Sequence, residues 1–129
     1  MEPTELPFEH CNLYRLRLDD AQAHGGTGRI RCTRIATRQM LAWACRFLDY
    51  AALPPGTTIG EHTHTDGEEE FYLILHGQGE MRLNGQVFPV GPGDLVRNPP
   101  GGTHALVNTG AGELQIFVFE VEVRPCMRP

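Results

Sequence analysis

The stretch Glu61 to Gly77, EHTHTDGEEEFYLILHG, sets two histidines one residue apart before three consecutive glutamates and a short apolar run. Imidazoles and carboxylates together can ligate first-row metal ions. His62 and His64, at i and i+2, project from the same face of an extended strand, as chelation by both rings requires. A further ligand must then come from another strand. Of Glu68, Glu69 and Glu70, the last opens the apolar run FYLIL, at a strand edge where a carboxylate can turn inward. Taken alone, the stretch can equally be a solvated acidic turn with two surface histidines. Downstream, His104 follows a Pro/Gly turn and enters HALVN. A lone histidine at a strand start is unremarkable. Three histidines and a carboxylate in this order match a first-row metal site in count and type.

The elements that must position these groups are short strands. Glycine (15) and proline (10) are scattered as punctuation and cut the chain into short pieces. PPGT (54–57), GPGD (91–94), PPGG (99–102) and NTGAGE (108–113) are turns. Asn84-Gly85 between two apolar runs is a hairpin signal. Strand-sized segments fall at 71–75, 80–83, 87–90, 94–97, 105–107 and 114–123. Residues 30–53 also favour strand, ended by Pro54. So many short strands indicate an all-β sandwich or small barrel. No internal repeat or linker is visible. The expectation is one domain, with an N-terminal arm over 1–29, irregular at its start, and the barrel domain over 30–129.

The bulk numbers exclude some classes. A chain of 129 residues suits one domain with one core. Eleven Lys and Arg against 16 Asp and Glu give a net charge of −5, which argues against nucleic acid as a partner, since phosphate binding needs a basic patch. No run approaches the roughly 18 apolar residues of a membrane span, and the N-terminus has no signal-peptide core. A cytoplasmic protein without membrane or nucleic-acid partners is expected. Cys11, Cys32, Cys45 and Cys126 form no C-x-x-C pair, and reduced thiols are expected. Cys45 reads as a small buried hydrophobe.

The spacing carries a resemblance. Gly93 to Asn108, GDLVRNPPGGTHALVN, matches G-x5-P-x-G-x2-H-x3-N at every position, and Gly56 to Gly77 is similar to G-x5-H-x-H-x(3–4)-E-x6-G, with one extra residue before the glutamate. These are the two signature motifs of the cupin superfamily. Together with their spacer they cover about two fifths of the chain. HGGTGRIR (24–31) and LPPGTTIGEH (53–62) also resemble small single-domain bacterial cupins, of the oxalate-decarboxylase-like and mannose-6-phosphate-isomerase-like kinds. The fold implied is the cupin double-stranded β-helix, a jelly-roll barrel. The ligands implied are His62, His64, one glutamate and His104, on one divalent transition metal (Mn, Fe, Ni, Co or Zn). Counting back from Gly77 selects Glu70, leaving residues 65–69 as a loop that absorbs the extra residue. A bulge in the strand would select Glu69 instead.

Four ligands on an octahedral ion leave two open positions for a small-molecule substrate. Tyr72, two residues past Glu70, shares its face and is the candidate catalytic proton or hydrogen-bond donor, with a core tyrosine as the alternative. Arg97 reads as an outward, salt-bridged arginine. His24 reads as a loop residue, though it could reach the barrel mouth. His10 and His76 read as exposed. The resemblance implies a homodimeric, metal-dependent enzyme that acts on a small oxygenated acid by Lewis-acid decarboxylation, elimination or isomerisation. The alternatives are a metal-dependent dioxygenase and a non-catalytic small-molecule-binding protein.

Overall fold

The structure, a computed structural model, describes residues 8–42 and 44–123. Ten strands run in chain order: β1 Asp19–Ala21, β2 Ile30–Thr37, β3 Cys45–Leu53, β4 Thr58–Thr63, β5 Glu68–His76, β6 Gly79–Leu83, β7 Gln86–Val90, β8 Leu95–Asn98, β9 Thr103–Asn108 and β10 Leu114–Glu122. Short 3-10 turns occupy Leu13–Arg15 and Arg38–Met40. No helix among the described residues is long and apolar enough to cross a membrane. Trp43 and Cys126 lie outside the described residues.

The strands form two antiparallel sheets, ordered β1-β2-β3-β10-β5-β8 and β4-β9-β6-β7. This corrects the expected jelly-roll barrel, because neither sheet closes on itself. The edges explain why. β1 has three residues, and β8 has four and stops before Pro99-Pro100. β7 carries Pro89, which has no N–H to offer a further ladder. Such edges end pairing instead of extending it.

The two sheets share one core. Leu53, Ile74, Leu114 and Ile116 of the larger sheet belong to the same buried cluster as Ile59, Met81, Val90 and Leu106 of the smaller. Alternation along β10 buries Leu114, Ile116, Val118 and Glu120 in turn. At the β6–β7 hairpin, Asn84 and Gly85 adopt φ of 49° and 82°. Both central residues are left-handed there, as the tightest hairpin turn requires. β5 starts at Glu68, so Glu68 and Glu69 belong to the strand and not to the expected loop. They pair with Glu122 and Val121 of β10, which extends the ladder past Glu70.

Candidate metal centre

His62 and His104 come together across the β4–β9 pair, where they are direct register partners. A register shift between Ile59 and His62 sets that pairing. His64 follows the end of β4, and its N–H donates to the Gly102 carbonyl at 3.0 Å. The Gly101 N–H likewise donates to the Thr65 carbonyl at 3.0 Å. The Pro/Gly turn of 99–102 therefore ties the chain after His64 to the chain before His104. The fourth group arrives from the other sheet. On β5, Glu70, Tyr72 and Ile74 are all buried, and a bulge near Leu75 falls beyond that alternation.

One ligand atom from each of His62, His64, Glu70 and His104 lies within 4.8 Å of the others. Bonds of about 2.0–2.2 Å place opposite ligands of one ion about 4.0–4.4 Å apart, so the cluster has the span of a single site. Glu70 Oε1 is 3.1 Å from His104 Nε2 and 3.5 Å from His64 Nε2. Yet Glu70 Oε1 and His64 Nε2 are buried and have no aligned hydrogen bond among the described residues. A buried polar atom left unpaired is costly, and a cation placed among these atoms satisfies them together. The cluster can coordinate one divalent transition metal.

The surroundings prepare the rings for that task. His62 Nδ1 is 2.7 Å from the Gly60 carbonyl. Nδ1 therefore carries the proton and donates, leaving Nε2 with its lone pair. Burial pulls His62 down to about 4, against the Gly60 contact, so the ring is neutral at pH 7. His64 behaves in the opposite way. Glu120 first, then Glu70, holds it up at about 10. Its Nδ1 is 3.1 Å from Glu120 Oε1. Burial alone would raise the Glu70 carboxyl, but His104 and His64 outweigh it and hold Glu70 at about 2. Burial, then Glu70, pushes Tyr72 well above the ordinary phenol value. Its hydroxyl is 3.3 Å from His104 Nε2.

The neighbouring glutamates have other partners, although Glu68 Oε2 also faces His64 Nδ1 at 3.8 Å and, with His64 and Glu120, forms a second group that could hold a cation. Glu68 accepts from the Thr65 N–H at 3.0 Å and from its hydroxyl at 2.7 Å. Glu69 pairs with the exposed Arg97 on the other face of the sheet. His10 and His76 are exposed. Two further groups stand at the site, the first not expected there and the second expected first as a loop residue. Glu120, 2% exposed, is the register partner of Glu70, and its other oxygen accepts from Arg46 Nε at 3.0 Å. The signal in the sequence was an acid on the apolar register of IFVFEVE. The second is His24, which lies in a loop as expected but stacks on His62 with centroids 3.5 Å apart and planes 6° apart. Its φ of 51° is left-handed, and a side chain at Gly60 would come within 2.1 Å of its carbonyl oxygen.

Residues 49–120 match the family described as Cupin domain. The chain belongs to the cupin family. This cupin is 33% identical over 93 residues to an oxalate-binding protein of Thermotoga maritima, covering 72% of the chain and 76% of the relative. Among solved structures it resembles a predicted oxalate decarboxylase of Thermotoga maritima. The TM-score is 0.82 at 26% identity, covering 87% of this chain and 97% of that one. It also resembles the Cnp3 cupin domain of Schizosaccharomyces pombe, with a TM-score of 0.74 at 13% identity, covering 89% of this chain and 74% of that one. That second likeness concerns the fold alone.

His64 and Glu70 of the cluster open on a cavity of about 550 Å³, lined also by His24, Tyr72, Ile116 and Val118.

Proposed function

We propose that this cupin is a metal-dependent enzyme that acts on a small oxygenated acid by decarboxylation, elimination or isomerisation. The observation that carries the reading is the convergence of three imidazoles and one carboxylate, of which His64 and Glu70 line a cavity, with a protonated tyrosine against them. The names of the Thermotoga maritima relatives, which refer to oxalate, support an acid as the ligand. His62, His64, Glu70 and His104 would hold one divalent Mn, Fe, Ni, Co or Zn ion. When bound, the ion supplies a Lewis acid for an oxygen of the substrate.

The chain's own residues supply the rest. Tyr72 keeps its proton at Oη, 3.3 Å from His104 Nε2 of the ligand cluster. His62 and His64 are oriented by the Gly60 carbonyl and the Glu120 carboxylate. Ile59, Ile116 and Val118 give the cavity an apolar wall that limits water. A homodimer forms part of the same proposal. The outer face of the larger sheet carries half-buried Phe71, Phe117 and Phe119, with Phe71 and Phe119 stacked at 4.9 Å. Sedimentation velocity tests the dimer.

The chemistry is tested with oxaloacetate under strict anaerobiosis, using metal-reconstituted protein. A His62→Ala/His104→Ala variant serves as control, because free divalent metals also decarboxylate this acid. Turnover that persists without oxygen and is lost in the variant is the expected result. In a parallel aerobic assay, stoichiometric oxygen uptake with product formation would assign a dioxygenase instead. Tight reversible binding of small acids without turnover would assign a binding protein.

A further inference from the structure

The cavity is larger than a two-carbon diacid requires, and its far end is not apolar. Arg34 and Asp49 line it together with His64 and Glu70 of the metal cluster. Arg34 donates to both Asp49 oxygens, at 2.9 and 3.1 Å, and its guanidinium lies 4.1 Å from the centroid of the Phe47 ring. Asp49 is an acid on the inner face of a sheet, and burial, opposed by Arg34, raises its carboxyl. The pair is still open to the cavity, with side-chain exposures of 53% for Arg34 and 24% for Asp49.

The strand register measures how far the pair is from Tyr72, beside the metal cluster. Arg34, Asp49, Val118 and Tyr72 are successive partners in one row across β2, β3, β10 and β5. Neighbouring strands lie about 4.8 Å apart, so the Asp49 backbone is about 10 Å from that of Tyr72, and Arg34 about 14 Å. Between them the inner face is lined by Val118, Ile116 and Ala51.

This geometry rests on the chelating reading above and deepens it. We infer that the substrate is a hydroxylated carboxylic acid of about six carbons, with its acid head at the metal cluster and its tail hydroxyls on the Arg34–Asp49 pair. An extended chain advances about 1.2 Å per bond. Six carbons with a chelated head and a hydrogen-bonded tail therefore close the gap, whereas oxalate leaves it open. The chemistry of the pair selects the tail. A carboxylate would meet Asp49, and an ammonium would meet Arg34. A hydroxyl suits both, donating to an Asp49 oxygen and accepting from an Arg34 N–H. The apolar row between them suits the C–H faces of the chain.

Calorimetric titration of metal-loaded protein with oxalate, gluconate and 2-hydroxyhexanoate tests this. The last two share a 2-hydroxy acid head and a six-carbon chain, but only gluconate has tail hydroxyls. Gluconate should bind at least tenfold more tightly than 2-hydroxyhexanoate, since a site built to hydrogen-bond a hydroxyl rejects the analogue lacking it. In Asp49→Asn and in Arg34→Met the preference should fall to within about twofold, with oxalate affinity and metal content unchanged. Equal binding of the two six-carbon acids by the wild type would overturn the inference, as would a preference that survives both substitutions. If no acid binds, oxalate included, the chelating reading itself fails. Oxalate binding without any preference sinks only the assignment of the tail.

Discussion

Glu70 and Glu120 are direct cross-strand partners, both almost fully buried. Like charges in that arrangement repel, and here the His64 ring lies between them, 3.5 Å from one and 3.1 Å from the other. The inward Glu70 and the otherwise partnered Glu68 and Glu69 lead to one prediction. Glu70→Ala should weaken metal binding by about a hundredfold or more, since loss of an outer partner alone costs 10–100-fold. Glu68→Ala and Glu69→Ala should keep the metal content of the purified protein near that of the wild type. Loss in Glu69→Ala with retention in Glu70→Ala would reverse the assignment. A second prediction concerns pH in the metal-free protein. His64, raised to about 10, contributes stability that is full below 6.5 and lost as pH rises through 10. His62, lowered to about 4, is costly to bury once its unfolded counterpart is protonated, so its effect is to make stability rise from pH 4 to 6.5. Glu70, lowered to about 2, contributes stability present above 4.5 and lost as pH falls through 2. The slopes meet near pH 6.5, where the melting temperature of the metal-free protein should peak. In Glu120→Gln the alkaline decline should flatten. Of these residues, the histidines and Glu70 were legible from their spacing. Glu120 was not, because a single acid in an apolar run is visible only once its strand register is known.

Most strands were legible because Gly and Pro mark their ends and β-rich runs lie between. Closure was not legible, since motif spacing positions the ligands but edge pairing depends on strand length and on residues such as Pro89. The loop carrying His24 was the other gap. AHGGTG reads as a loop and is one, but its place beside His62 depends on contact with Gly60, 36 residues from His24. Ala23 bridges Ile59, and the Gly60 N–H donates to the Ala23 carbonyl at 2.9 Å. The approach is so close that only glycine fits. Gly60→Ala should push the loop off β4, unstack His24 from His62 and destabilise the protein by about 1–3 kcal/mol, the range of an overpacked site. Metal affinity should fall with it, because Gly60 also holds the His62 ring. Denaturant titration and metal content check the two effects separately. A fully stable Gly60→Ala protein with normal metal content would show that the loop is free to move away.

At the scale of the whole molecule, the ligand cluster joins the two sheets. His62 and His104 belong to the smaller sheet, His64 follows directly from it, and Glu70 belongs to the larger. Apart from the Tyr72–His104 contact and the Asn108 amide, which donates to the Leu53 carbonyl at 2.8 Å, the sheets are otherwise held together by apolar packing, without a closed ladder of hydrogen bonds. A metal ion bound by the native cluster, but not by the unfolded chain, stabilises by linkage, about 2.7 kcal/mol at a hundredfold excess over Kd. For a domain of this size that is a rise of roughly 10 °C in melting temperature. Linkage alone does not say where the stability is gained, but the topology does. Chelation should speed amide exchange most on β4, β9 and the first half of β5, where the cross-link is lost. The β6–β7 hairpin, which contributes no ligand, should respond least. Glu70→Ala separates this from ordinary ligand stabilisation. With three histidines left on one side, residual metal at high concentration should protect β4 and β9 and no longer protect β5. Equal protection of β5 in that variant, or a melting curve that chelation leaves unchanged in protein shown to have contained metal, would mean that the ion does not bridge the sheets.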